Sequence, residues 1–344
     1  MKSLRIGLVL AFLLVMGFTL PAFGQSTPQQ VKGTGWVAKT ESSPAVAGGV
    51  TNGKAWRYIA WRGTNDLIYF AMNNGEGWTD HQIVGGTNWT AETSAAPALQ
   101  TQLYNSAVWL AWKGKSSNNI YVSSWNGTEW TQQQQVQGTG WTAGTKVGPA
   151  VGATSGAPYV AWKGASDGRI WYTVGNSTKN GLEWSTQQVV EGSGWTAETS
   201  ATPSFAVDSS GGQYLFWKGE SGDSIWYSDG AVNGGALDFG QQNTTKCEAS
   251  TDEGPATAAF DSDGNEFPIA IFWKSSSSNA ILYDAFYNSD PCGITVANAA
   301  TNVAPAVASY IDATSGASIL AWKNATDNTV WFLDPTTLPG LTDF

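Results

Sequence analysis

Four tryptophans, Trp36, Trp89, Trp141 and Trp195, each stand eight residues before a proline and run into short polar stretches such as Trp89-Thr90-Ala91-Glu92 and Trp195-Thr196-Ala197-Glu198. A second set is cationic and directly follows another tryptophan: Arg62, Lys113, Lys163, Lys218, Lys274 and Lys323. Aspartates Asp66, Asp167, Asp223 and Asp327 come shortly after several of these cations. An indole beside a cation and a carboxylate suits a saccharide. The C–H face of the sugar ring stacks on the aromatic plane, and its hydroxyls take directional hydrogen bonds from the charged groups. The candidate carbohydrate-binding residues are therefore Trp36, Trp89, Trp141, Trp195, Arg62, Lys113, Lys163, Lys218, Glu92 and Glu198. Packing is the competing reading. Cys247 and Ala297 take the tryptophan's place before the fifth and sixth prolines, so a disulfide there could replace a packed ring.

Catalysis has less support. Glycoside hydrolysis usually needs two carboxylates at a defined separation, whereas Glu92 and Glu198 repeat one position. An active site is a single constellation, and a polar set recurring at a fixed period marks several equivalent binding sites. With His81 as the lone histidine, a nucleophilic triad is not expected. One histidine and two cysteines also make no ordinary zinc or copper site, and no cofactor is expected.

The elements that must position these residues follow from a repeat. Prolines 44, 97, 149, 203, 255 and 305 are spaced by 53, 52, 54, 52 and 50 residues. Each is followed by a tryptophan (Trp61, Trp112, Trp162, Trp217, Trp273 and Trp322) and then by a branched aliphatic (Ile68, Ile120, Ile170, Ile225, Ile281 and Val330). Periods of this size mean propellers, solenoids or arrays. Each unit holds four strand-like runs. The first is of small residues, as in Pro149-Ala150-Val151-Gly152. The second is apolar on both faces, as in Ala107-Val108-Trp109-Leu110-Ala111-Trp112, which marks a strand buried on both sides. The third is aromatic, with Tyr69, Tyr121, Trp171, Trp226, Tyr283 and Trp331 as wedge filler. The fourth is polar, as in Thr131-Gln132-Gln133-Gln134-Gln135-Val136, like an edge strand near solvent. Trp78, Trp130 and Trp184 follow tight turns on the opposite rim and read as structural locks. This gradient is what radial packing demands: crowding near an axis, and bulk where the sheets splay apart.

The prediction is an all-β, six-bladed β-propeller with four antiparallel strands per blade. The segment Gln29-Gln30-Val31-Lys32-Gly33-Thr34-Gly35-Trp36 copies Gln134-Gln135-Val136-Gln137-Gly138-Thr139-Gly140-Trp141, yet it precedes the first unit. The sixth unit stops after Val330-Trp331-Phe332 with no fourth strand of its own. The N-terminal strand is thus expected to complete the last blade and close the ring, which an open solenoid with capping repeats would not do.

Residues 1–24 read as a secretory signal peptide: Lys2 and Arg5 precede an apolar run from Ile6 to Leu20, and small residues follow. Residues 25–344 form the propeller domain, expected to be secreted. That domain has 15 basic and 27 acidic residues, a net charge of −12 against −10 for the whole chain. Such a charge argues against nucleic acid or an anionic membrane surface as partner, and no later stretch is long and apolar enough to insert in a bilayer. In an oxidising compartment Cys247 and Cys292 are expected to form a disulfide.

The run Ala-Trp-Lys-Gly, then Ile-Tyr/Trp-Tyr, then Ser123-Ser124-Trp125-Asn126-Gly127-Thr128-Glu129-Trp130 resembles secreted propeller repeats related to sialidase-type Asp-box repeats. Ser123, Gly127 and Trp130 fit an Asp box, while Trp125 stands where its aspartate belongs. A sialidase-type site would also need three arginines from different blades, and the exported chain has Arg57, Arg62 and Arg169, two of them in one unit. The six-fold count and aromatic richness are similar to fungal six-bladed fucose-binding lectins, whose sugar-contacting motif does not map onto this chain. The repeated loop residues, rather than these resemblances, carry the expectation of a propeller that binds glycans or glycoconjugates at up to four inter-blade sites without catalysis. Protein docking and degenerate glycoside hydrolysis stand as alternatives.

Overall fold

The computed structural model describes residues 27–341, apart from 52, 103–106, 154–157, 180, 209–210, 234–235, 246–248, 261–268, 286–292 and 310–316. Cys247 and Cys292 lie outside the described residues, as does the segment read as a signal peptide.

Six antiparallel sheets follow the repeat. Blade 1 runs Ala45–Thr51, Lys54–Arg62, Ile68–Asn73 and Gln82–Ile83 from the axis outwards, and blade 2 runs Ala98–Thr101, Val108–Lys113, Ile120–Trp125 and Gln134–Gln135. Blades 3 to 5 begin at the inner strands Ala150–Ala153, Ser204–Val207 and Ala256–Ala259, and blade 6 at Ala306–Ala308. Each inner strand contacts the next, and that of blade 6 returns to that of blade 1, so the ring is closed. Closure is completed from the N-terminus: Gln29 and Gln30 pair with Phe332 and Trp331 as the fourth strand of blade 6. Val31 continues the junction, its N–H donating to Val330 O at 2.8 Å.

The core lies between blades. Each second strand alternates its side chains between two neighbouring sheets, which is why it is apolar throughout. Val108, Leu110 and Trp112 pack toward blade 1, while Trp109 and Ala111 pack toward blade 3. The six repeat tryptophans are all buried, and the six branched aliphatics of the third strands are sealed completely. The turn aromatics act as locks across the gap: Trp78 meets Phe332 and Trp130 meets Phe70 edge-on, at 5.1 and 5.0 Å. One assignment needs correction. Leu282, not Tyr283, faces Trp273, and Tyr283 pairs with Phe272 one residue further along. The fifth unit therefore has no aromatic at the position held by Tyr69 in blade 1.

Two more residues recur in all six units. A threonine lies four residues before each repeat proline (Thr40, Thr93, Thr145, Thr199, Thr251, Thr301), and all six are fully buried. Its hydroxyl accepts the N–H two residues on, as in Ala201 N to Thr199 Oγ1 at 3.1 Å and Glu253 N to Thr251 Oγ1 at 3.1 Å. This local turn satisfies a backbone donor that would otherwise be orphaned where the chain dives toward the axis. Two residues earlier lies a buried alanine, and the carbonyls of Ala91, Ala143, Ala197 and Ala249 each accept an N–H from the preceding blade's third strand.

Candidate functional site

The face with functional potential is where each entering loop meets the loop between second and third strands. Each of the four loop tryptophans closes a short hairpin: Lys32–Gly33 with Trp36–Val37, Gly85–Gly86 with Trp89–Thr90, Gln137–Gly138 with Trp141–Thr142, and Glu191–Gly192 with Trp195–Thr196. The residue before each tryptophan has positive φ (Gly35, Asn88, Gly140, Gly194), and the indole nitrogen lies against the first-strand glycine, where a side chain would collide. Glycine there is a requirement of close approach.

These hairpins fix the rings. Trp36 stacks on Trp61 at 5.9 Å, Trp89 on Trp112 at 6.1 Å, and Trp195 on Trp217 at 6.2 Å. Trp61 and Trp112 stack in turn on Tyr69 and Tyr121. Trp36, Trp141 and Trp195 are half-buried, while Trp89 is 8% exposed. The indole N–H groups of Trp36 and Trp195 are buried without an acceptor, so these residues offer ring surface to a ligand rather than a hydrogen bond. Exposed His81 meets Trp36 edge-on at 4.8 Å.

The cations are engaged elsewhere. In four blades the ammonium of the second-strand lysine reaches the residue three before the repeat proline. Lys113 donates to Ser94 Oγ at 2.6 Å, Lys218 to Ser200 Oγ at 2.9 Å, Lys274 to both oxygens of Asp252, and Lys323 to Asn302 Oδ1 at 3.0 Å. In blade 3 that residue is Lys146, and Lys163 turns to Asp167 O at 2.9 Å. In blade 1, Arg62 donates to Asp66 and to Ser94 O. The Arg62 guanidinium holds the Asp66 carboxyl below its usual range, with Lys115 adding to the effect. These cations latch loop to strand. Glu92 and Glu198 are exposed, and Lys115, rather than Lys113, approaches Glu92. Lysine and indole thus make separate contacts, Lys113 and Lys218 with serines and Trp89 and Trp195 with the core tryptophans.

A funnel of about 580 Å³ lies on the ring axis, walled by all six entering loops. Its notable residue is Glu253, which the sequence reading did not single out. At the equivalent position the other units carry Ser42, Ala95, Val147, Ala201 and Val303. Burial pushes the Glu253 carboxyl up, the Asp252 charge adds to this, and Lys274 and Lys218 oppose it. Among the described residues no His/Cys/Asp/Glu cluster is arranged to hold a metal, and no helix is long and apolar enough to cross a membrane.

No protein-family model matches this chain, and neither does any curated protein. Solved structures do. An arginine-substituted variant of AofleA from Arthrobotrys oligospora superposes with a TM-score of 0.60 at 12% identity, over 90% of this chain and 85% of its own. The Aleuria aurantia lectin, a six-bladed β-propeller described with a fucose recognition mode, gives 0.57 at 13% identity over 87% and 97%. The α-L-arabinofuranosidase of Fusarium graminearum gives 0.63 at 9% identity over 91% and 99%. The fold is shared. Lectins and hydrolases alike are built on it, so function must be argued from this chain's own residues.

Proposed function

We propose that this chain is a lectin-like propeller that binds carbohydrate without catalysis, at the loop tryptophans between successive blades. One observation carries the reading: Trp36, Trp141 and Trp195 sit half-exposed in equivalent hairpins at three blade boundaries. A ring held flat on the core needs no ordering when a sugar stacks on it, which removes part of the cost of binding. Trp89, the most buried of the four, contributes least. Each site is weak alone, and several on one rigid ring raise avidity by about 10²–10⁴ on a multivalent surface.

Trp141→Ala and Trp195→Ala should each reduce retention on immobilised glycans while thermal unfolding stays cooperative. Full retention by both variants would assign the rings to the scaffold alone. A hydrolytic reading draws on the funnel, where a carboxylate lies in a cavity. Its neighbour Asp252 is bound to Lys274 and Glu41 accepts from Asn328 Nδ2, so among the described residues of the funnel both other carboxylates are engaged, which does not favour the pair that acid–base hydrolysis needs. Release of reducing ends from any glycan by the purified protein would overturn the non-catalytic part of the proposal.

A further inference from the structure

We propose that the axial funnel is a second ligand site, separate from the inter-blade tryptophans, and that its Glu253 carboxylate takes the ammonium group of an amino sugar. The argument starts from symmetry. Six copies of one loop build the funnel wall, and at the position two residues before the proline five copies place a hydroxyl or a small aliphatic side chain. A structural role shared by the units would not need a carboxylate in only one. Glu253 is half-buried, its backbone is fixed by the Thr251 turn, and the influences on its carboxyl are burial and the charges of Asp252, Lys274 and Lys218, with no hydrogen bond among them. An acceptor removed from water without a partner is costly, and a ligand that donates to it recovers that cost.

The neighbouring charges define what the ligand must bring. Asp252 is neutralised by Lys274 at 2.7 and 2.8 Å, and Arg62 is taken by Asp66. Lys218 is tied to Ser200 and to two loop carbonyls. Glu253 therefore stands as the acidic group still to be satisfied on its side of the funnel. Burial already pushes its carboxyl up, and a cation seated against it restores the ionised form. The rest of the wall carries Ser42, Thr202 and Ser204 among small apolar residues, with Gln100 and, on the blade 3 loop, the exposed cation Lys146, and its hydroxyls suit a compact polyhydroxylated ring. At about 580 Å³ the space falls within the range of small-molecule sites, about 300–1,000 Å³.

The test compares glucosamine, N-acetylglucosamine and glucose by titration calorimetry against wild type, Glu253→Gln, Trp195→Ala and the double variant. Glu253→Gln keeps the shape and removes the charge. The expected result is glucosamine binding that weakens at least tenfold, or 1.4 kcal/mol, when Glu253→Gln is introduced, by the same factor in the wild-type and in the Trp195→Ala background. The two uncharged sugars should bind wild type at least tenfold more weakly than glucosamine. Equal glucosamine affinity in wild type and Glu253→Gln, no binding to wild type, or no preference over N-acetylglucosamine would each overturn the proposal. Because the Trp195 arm is separate, loss of the inter-blade reading would leave this result interpretable.

Discussion

Blade 3 lacks the latch that blades 2, 4, 5 and 6 possess, and supplying it is a demanding test of the packing logic. In those four blades a buried lysine reaches an acceptor three residues before the proline. Blade 3 offers the exposed cation Lys146 instead, and Lys163 settles for a carbonyl of its own loop. Lys146→Asp removes a like charge and provides the acceptor pair that Asp252 gives Lys274. In that natural pair the lysine side chain is 8% exposed and the aspartate 49%. A shielded hydrogen bond to a charged group contributes about 1.5–3 kcal/mol, and an exposed ion pair about 0.2–1 kcal/mol. A half-exposed acceptor on a buried ammonium falls between them, so a gain of about 1 kcal/mol is expected, equivalent to about 2 °C in Tm. Denaturant unfolding of wild type, Lys146→Asp, Lys163→Met and the double variant isolates the pair as a coupling energy. A gain that survives Lys163→Met, or no gain at all, would refute the latch reasoning.

Two further outcomes follow from the same contacts. Thr199→Val should cost about 1–3 kcal/mol, because it leaves the Ala201 N–H without its acceptor at 3.1 Å; chemical denaturation reads this, and a neutral result would mean the turn closes without the hydroxyl. At alkaline pH, burial pushes the Tyr283 phenol up to about 12 from an ordinary value of about 10. A raised folded value favours the neutral phenol, so this contribution is complete below about pH 10 and is lost as pH rises through about 12. Tyr283→Phe should flatten the stability profile across that window, at the expense of the hydrogen bond to Pro339 O at 2.8 Å. An unchanged profile would contradict the assignment.

Ring closure was legible because Gln29-Gln30-Val31 copies Gln134-Gln135-Val136, and a copied edge strand standing outside its own unit has one open partner. The locking role of Trp78 and Trp130 was legible for a similar reason, since a bulky ring after a tight turn has only the neighbouring blade to fill. The use of the lysines was harder to see. A cation after a buried tryptophan does not announce its acceptor, and the signal lay 18 to 22 residues upstream in Ser94, Ser200, Asp252 and Asn302. The threonine four residues before each repeat proline was in plain view in the sequence, as a spacing rather than a chemistry. Glu253 emerges only when the six units are aligned and the departure from small residues is seen to face the axis. Half-burial of the loop rings depends on how a hairpin docks against its blade, which residue type alone does not determine.

The central claim is tested most directly by presenting residues 25–344 to an array of immobilised glycans. The expected result is retention on a set of glycans sharing a common terminal sugar, lost when that free sugar is added in excess. Absence of retention on every glycan, or uniform retention that no free sugar displaces, would contradict carbohydrate binding and favour a protein-docking ring.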